Sequence, residues 1–225
     1  MRPITTAIPK SLVDIAGEPF VAHQLRLLES RGIRRVVLCS GYLGEMIEAY
    51  VGDGHQFGVA VDYSRDGPTL LGTAGALRQA RAKLGDQFMV LYGDSYLQCD
   101  YAAVVRAFEL SGRAGLMTVF QNDGQLETSN VELAHGHILE YDKAAPTARM
   151  RHIDYGLGVL DGHALDLVPA ATAYDLASLY RDLLARQELA AYEVHERFYE
   201  VGSIGGLEEL RRLIADGPAH ARVVS

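Results

Sequence analysis

Between residues 19 and 31 the apolar positions Phe20, Val21, Leu25, Leu27 and Leu28 recur at helical spacing, and Gly32 then stops the run. The following segments alternate: a strand over 34–39, a helix over 43–50, a strand over 59–63, a helix over 73–83 and an apolar strand over 88–91. Short connections between β and α segments predict parallel strands covered on both faces. After a helix over 101–111 the texture changes. Residues 115–120, 129–134, 137–141 and 153–160 read as strands joined by turns, an antiparallel extension of the sheet. His135-Gly136-His137 reads as a hairpin turn in which Gly136 takes positive φ. The chain then returns to helices over 174–186 and 205–215, with short strands over 191–194 and 198–201 between them.

No repeat, low-complexity segment or linker interrupts this pattern, so a single α/β domain over 1–225 is expected. At 225 residues and 48% hydrophobic content, one substantial core can be buried. The formal net charge of −8 argues against a nucleic-acid surface, which needs clustered Lys and Arg. Anionic ligands must therefore be met by locally placed cations or backbone amides. Cys39 and Cys99 are far apart and lack the spacing of a zinc or redox pair, so two buried, reduced thiols are expected. No apolar run approaches the roughly 18 residues of a membrane helix, and no signal-peptide pattern opens the chain. A cytoplasmic location without membrane contact is expected. The sequence leaves a homo-oligomer open.

In an open α/β sheet ligands bind beyond the carboxyl ends of the strands. Ser40-Gly41-Tyr42, residues 67–75, Gly93-Asp94-Ser95 and Glu200-Val201-Gly202-Ser203 occupy such places. Asp94 emerges from an apolar run behind a glycine, where it can hold a divalent cation or cap a following helix. Glu200 ends a short apolar strand and can supply a second carboxylate, or be a surface residue before a turn. The segment Leu71-Gly72-Thr73-Ala74-Gly75-Ala76 enters a helix with bare amides, suited to a base or phosphate or to close packing on a sheet. Lys10, after Pro9, is a point charge for a phosphate or a solvated lysine.

Taken in order, these segments resemble the sugar-phosphate nucleotidylyltransferase family over most of the chain. The family signature continues into Arg2-Pro3-Ile4-Thr5, Pro9-Lys10-Ser11-Leu12 and Gly17-Glu18-Pro19. Gly41-Tyr42, residues 71–76, Gly93-Asp94, Asp142-Lys143, Asp154-Tyr155-Gly156 and residues 200–204 follow at compatible spacing. The texture is similar to heptose-1-phosphate guanylyltransferases and other short members. The resemblance implies a Rossmann-like fold with a mixed, mainly parallel central sheet, helices on both faces and an antiparallel sugar-side extension. It also implies that the first strand, the glycine-rich phosphate loop and its arginine lie upstream of Met1, the natural chain starting roughly 12 to 15 residues earlier.

The implied reaction joins an NTP to a sugar 1-phosphate, giving NDP-sugar and pyrophosphate with Mg2+. The resemblance assigns Lys10 and Asp94 to catalysis and Asp94 and Glu200 to the metal. Arg2, Gly41, Gly72, Thr73, Gly75 and Gly93 fall to the nucleotide, and Asp142, Lys143, Asp154 and Gly156 to the sugar. Glu200 and Asp154 depart from the family's Asp and Asn. Arg149 and Arg151 precede the sugar strand, as readers of a second sugar phosphate or as part of a mobile loop. A rival reading is a non-catalytic regulatory protein that binds a sugar nucleotide. A NAD-dependent dehydrogenase is disfavoured, because no Gly-x-Gly-x-x-Gly follows a strand with an acidic residue about 20 positions on.

Overall fold

Local signals at the ends of the first helix act as their residue types dictate. The computed structural model describes residues 8–124, 126–170 and 172–216. A 3₁₀ turn at Lys10–Leu12 leads into an antiparallel pair, β1 (Asp14–Ile15) and β2 (Glu18–Pro19), and then α1 (Phe20–Ser30). Gly32 takes φ +85°, its amide donates to Glu29 O at 2.9 Å, and Ile33 N donates to Leu28 O at 3.0 Å. These are the two bonds of a Schellman cap, which satisfy carbonyls that the helix end would orphan.

Next come β3 (Arg35–Ser40), α2 (Gly44–Val51) and β4 (Ala60–Arg65), with β3 and β4 paired in parallel. Then follow α3 (Gly72–Gln79), β5 (Gln87–Leu91), β6 (Ser95–Leu97) and α4 (Tyr101–Ser111), whose N-cap Asp100 accepts from Ala103 N. The second half contains β7 (Gly115–Gln121), β8 (Val131–Ala134), β9 (His137–Tyr141), β10 (His152–Asp161), α5 (Leu176–Ala185), β11 (Leu189–Val194), β12 (Phe198–Glu200) and α6 (Ile204–Asp216). Gly136 has φ +77° in the β8–β9 turn, as its residue type predicts. No described helix is long and apolar enough to cross a membrane.

The strand β10 lies between β5 and β7 and pairs antiparallel with both, while β11 extends the sheet parallel to β7. Hence β5, β7, β8 and β11 share one direction, which β10 and β9 oppose. Sequence texture assigns residues 153–160 to the antiparallel extension; the structure inserts them at the sheet centre. The reason is burial: residues 153–160 of β10 are all buried, a pattern that requires cover on both faces. Alternation along β5 divides the cover. Met89 and Leu91 pack with Val21, Leu25, Val104 and Phe108 of α1 and α4, whereas Phe88 and Val90 pack with Leu176, Leu179 and Leu183 of α5.

Close packing explains Gly158. A Cβ there would collide with Tyr180 Oη and sit 3.0 Å from the backbone oxygen of Leu116. Tyr180 is fully buried and has no room to swing aside. Gly158→Ala is expected to destabilise the fold by about 2–3 kcal/mol through overpacking, read as a lower urea midpoint at unchanged slope.

The two thiols differ, contrary to the expectation that both are buried. Cys99 is buried, and burial first, then the Glu196 charge, pushes its thiol up to about 11. Cys39 is exposed as a residue, because it lies on the opposite side of β3 from Val36 and Leu38, which pack against the core, but its sulfur lies 3.8 Å from Ala76 O, and burial first, then the Asp66 charge, pushes this thiol up to about 11 as well. Titration of the native protein with Ellman's reagent at about pH 8 should therefore show Cys39 reacting ahead of Cys99 but more slowly than free cysteine, because Cys39 is accessible while both raised thiols hold little of the reactive thiolate.

Candidate active site

Asp94 sits in the tight turn between β5 and β6, closed by Ser95 N donating to Tyr92 O at 3.1 Å. A strand follows it, so the helix-cap reading of Asp94 fails. Buried Gln24 of α1 fixes this turn from beneath, its amide donating to Tyr92 O at 3.2 Å and Ser95 O at 2.9 Å. Pairing of β12 with β6 sets Glu200 opposite Ser95, and Val201 N donates to Asp94 O at 2.9 Å. Two carboxylates 106 positions apart in the chain are thus placed side by side by one strand pair.

Lys10 completes the group. Its Nζ donates to Asp94 Oδ2 at 3.2 Å, both side chains remaining partly exposed. A Cβ placed on Gly202 would lie 2.7 Å from Glu200 Oε2 and 3.5 Å from both Asp94 Oδ2 and Lys10 Nζ. Three residues expected at the reaction centre therefore surround a point that only a glycine leaves open. Glu200 is held there by its own turn: Oε2 accepts from the amides of Gly202 and Ser203, and Oε1 from Ser203 Oγ at 2.5 Å. Nothing lies within 4 Å of a Cβ on Gly93, so the approach past this turn is open.

The fit to a divalent cation follows from this donor set. Asp94 and Glu200 offer hard oxygens around a cradle that a single methyl would fill. Among the described residues no three His, Cys, Asp or Glu side chains form a metal cluster. Magnesium asks for fewer, taking one or two carboxylates and completing its shell with water and phosphate oxygens.

The glycine-containing loop packs against protein. Ala74 N and Gly75 N both donate to Tyr174 O, at 2.9 and 3.0 Å, and Thr73 Oγ1 accepts from Leu176 N at 2.6 Å. A Cβ on Gly72 would lie 2.8 Å from Tyr174 O, and one on Gly75 3.2 Å from Thr172 O. Close approach of Tyr174 thus accounts for Gly72, and that of Leu71 at 2.9 Å together with Thr172 for Gly75. Among the described residues the amides of Gly72 and Thr73 have no protein acceptor and remain available to a ligand. Gly41 lies under Leu70, whose Cδ2 would be 2.5 Å from an added Cβ, and exposed Tyr42 and Leu70 flank it. Arg2 lies outside the described residues.

A cavity of about 370 Å³ brings together Thr73 with Asp142 and Lys143, and adds Tyr92, Asp175 and Arg181. Asp142 is fixed by its own turn: Oδ1 accepts from Ala144 N at 2.7 Å and Ala145 N at 3.0 Å, and those amides, Ala145 first, hold its carboxyl below the usual range. Lys143 Nζ meets Asp154 Oδ2 at 2.9 Å. The cause is a bulge in β10. Register shifts between Asp154 and Gly158, Gly156 takes φ +95°, and its carbonyl accepts from Tyr92 N at 3.1 Å, binding the bulge to the Asp94 turn.

Asp154 Oδ2 also accepts from Tyr92 Oη and Tyr141 Oη, each at 3.0 Å. Burial first, then the Asp154 charge, raises both phenols well above their ordinary range, so they stay protonated donors. Sequence reading passed over both tyrosines, although each stands directly beside a singled-out motif: Tyr92 before Gly93-Asp94, Tyr141 before Asp142-Lys143. Gln24 and Arg181 carry no such signal. Arg149 and Arg151 turn away from the phosphate role. Arg149 pairs with Glu132 at 2.8 Å and Glu140 at 3.2 Å, and Arg151 with Asp123 at 2.7 Å, tying down the β8–β9 hairpin and the loop before it.

Among solved structures, a Bacillus anthracis protein in complex with a sucrose shares the fold with TM-score 0.85 at 19% identity, covering 98% of this chain and 92% of that one. HddC from Yersinia pseudotuberculosis gives TM-score 0.77 at 21% identity, covering 91% and 89%. By sequence, the chain is 28% identical over 214 residues to UTP–glucose-1-phosphate uridylyltransferase of a Synechocystis strain, covering 88% of this chain and 55% of that protein. It is 39% identical over 104 residues to N-acetylmuramate alpha-1-phosphate uridylyltransferase of Neisseria meningitidis serogroup B, covering 46% and 45%. The chain thus spans about half the length of these two curated relatives. The family model described as nucleotidyl transferase matches residues 1–130, more than half of the chain and including Lys10, the loop 71–76 and Asp94. This chain belongs to the nucleotidyl transferase family.

Proposed function

We propose that the protein transfers a nucleotidyl group from an NTP to a sugar 1-phosphate, forming NDP-sugar and pyrophosphate. The observation that carries this reading is the convergence of Lys10, Asp94 and Glu200 around Gly202, beside a cavity lined by Lys143. The relatives' names, which all describe nucleotidyl transfer to a sugar 1-phosphate, support the same class of reaction.

A phosphate oxygen of the sugar attacks the α-phosphorus in line, and pyrophosphate leaves. The attacking oxygen is already anionic, so no strong general base is required. The protein's task is to bring two mutually repelling anions together and neutralise the charge that develops. Lys10 stands at the phosphates, the free amides of Gly72 and Thr73 at the nucleotide, and Lys143 and Asp142 at the sugar. Asp94 and Glu200 would hold Mg2+, which when bound supplies compensation for phosphate charge. Pyrophosphate release, assayed across four NTPs and a panel of sugar 1-phosphates with and without Mg2+, tests the reading. Turnover with at least one pair is expected. Tight binding of a sugar nucleotide without turnover by any pair would instead favour the regulatory reading.

A further inference from the structure

Asp154 is poorly placed to touch a sugar. Its side chain is 2% exposed, and both of its oxygens are engaged by the protein. Oδ1 accepts from Gly156 N at 3.1 Å, while Oδ2 accepts from Tyr92 Oη and Tyr141 Oη and is ion-paired with Lys143 Nζ at 2.9 Å. Each carboxylate oxygen has about two lone-pair sites; the two phenols use those of Oδ2, the oxygen that meets Lys143, and Oδ1 is turned to the Gly156 amide. Its backbone is equally fixed, Asp154 N donating to Asn130 Oδ1 at 3.0 Å.

Lys143 is in the opposite position. Its ammonium lies 4.9 Å from the centroid of the Tyr92 ring and 6.0 Å from that of Tyr141, and it reaches Tyr92 Oη at 3.4 Å. Two rings and a buried carboxylate therefore enclose a cation whose side chain is still 41% exposed to the cavity. An ammonium has three N–H donors. Tyr92 Oη accepts one and the Asp154 carboxylate pairs with the charge, so N–H donors remain for a substrate oxygen. Without the carboxylate, the four-carbon stem would regain rotamer freedom and the charge would no longer have a defined place.

We infer that Asp154 is a positioning residue which, with the phenols of Tyr92 and Tyr141, holds the Lys143 ammonium as the cation that receives the sugar phosphate. This rests on the sugar 1-phosphate reading above. Lysine is a flexible point charge, and the cage gives it the fixed direction that it lacks by itself.

The test combines kinetics with a spectroscopic signature of the ammonium. Asp154→Asn should raise KM for the sugar 1-phosphate roughly tenfold, as expected for loss of a charge-assisted contact, while kcat and KM for the NTP stay within about twofold. Asp154→Asn combined with Lys143→Met should be no worse than Lys143→Met alone, since one residue acts through the other. In a 1H–15N correlation spectrum of lysine ammonium groups, a slowly exchanging signal should be present in the wild type, absent in Lys143→Met and lost in Asp154→Asn. Additive losses in the double variant, an unchanged sugar KM, or an ammonium signal indifferent to Asp154→Asn would each overturn the proposal. If the wild type turns over no substrate pair, the functional reading fails, and the ammonium signal alone decides whether Asp154 fixes Lys143. Should Asp154→Asn not fold, Tyr92→Phe removes one hydroxyl from the cage and should raise the sugar KM about threefold and weaken the same signal; no change in either would count against the cage.

Discussion

Asp94→Ala is expected to lower kcat/KM for nucleotidyl transfer by at least about a hundredfold, the scale on which a fixed electrostatic group facing a developing charge contributes. Two losses combine. A hard oxygen leaves the pair formed with Glu200, and Lys10 loses the partner that holds its ammonium at 3.2 Å. The fold should survive, because the Lys10–Asp94 pair is partly exposed and such pairs contribute about 0–1 kcal/mol. Circular dichroism and a urea midpoint close to wild type, together with lost pyrophosphate release and weakened Mn2+ binding by electron paramagnetic resonance, form the expected set. Unchanged turnover would remove Asp94 from the reaction centre.

A methyl group on Gly202 should be nearly as damaging to activity. Its backbone is not in the left-handed region, so alanine is conformationally acceptable. What the new Cβ meets is functional rather than structural: Glu200 Oε2 at 2.7 Å, with Asp94 Oδ2 and Lys10 Nζ at 3.5 Å. Side-chain ends yield where backbone does not. Gly202→Ala should therefore cost little stability, displace the Glu200 carboxylate and reduce turnover about tenfold to a hundredfold, the usual penalty for misplacing a catalytic group by an ångström. The contrast with Gly158→Ala is diagnostic, since there the obstacles are a backbone carbonyl and a fully buried ring, and stability should fall instead. Equal stability losses in the two variants would contradict this division.

Much of the fold is legible in the sequence because the decisive forces are local. The helix over 19–31 ends at Gly32 because only a residue tolerant of φ +85° closes the cap, and the turn at Gly136 follows the same rule. The helix over 101–111 and the strand over 137–141 are found at the bounds read from their periodicity. The short strands β1, β2 and β6 are not legible. They exist through their pairing partners.

The site divides along the same line. Asp94 and Glu200 are readable as residue types at strand ends and Lys10 as a cation after a proline, and their order along the chain carries the family resemblance. Their common focus at Gly202 depends on the β6–β12 register, a contact across about a hundred residues that no local pattern encodes. The glycines of the loop 71–76 read as bare amides for a ligand, yet two of its amides are consumed by Tyr174, a partner distant in sequence.

By itself, the sequence determined most of the elements, the covered sheet and the candidates for chemistry, because helix caps, turns and hydrophobic periods are set by neighbours along the chain. Tertiary structure alone decided that β10 lies at the centre of the sheet, that its bulge buries Asp154 beneath Lys143, and that Arg149 and Arg151 are spent on ion pairs. Burial and charge pairing are properties of what the folded chain brings close, and a side chain's role changes with the company it is given.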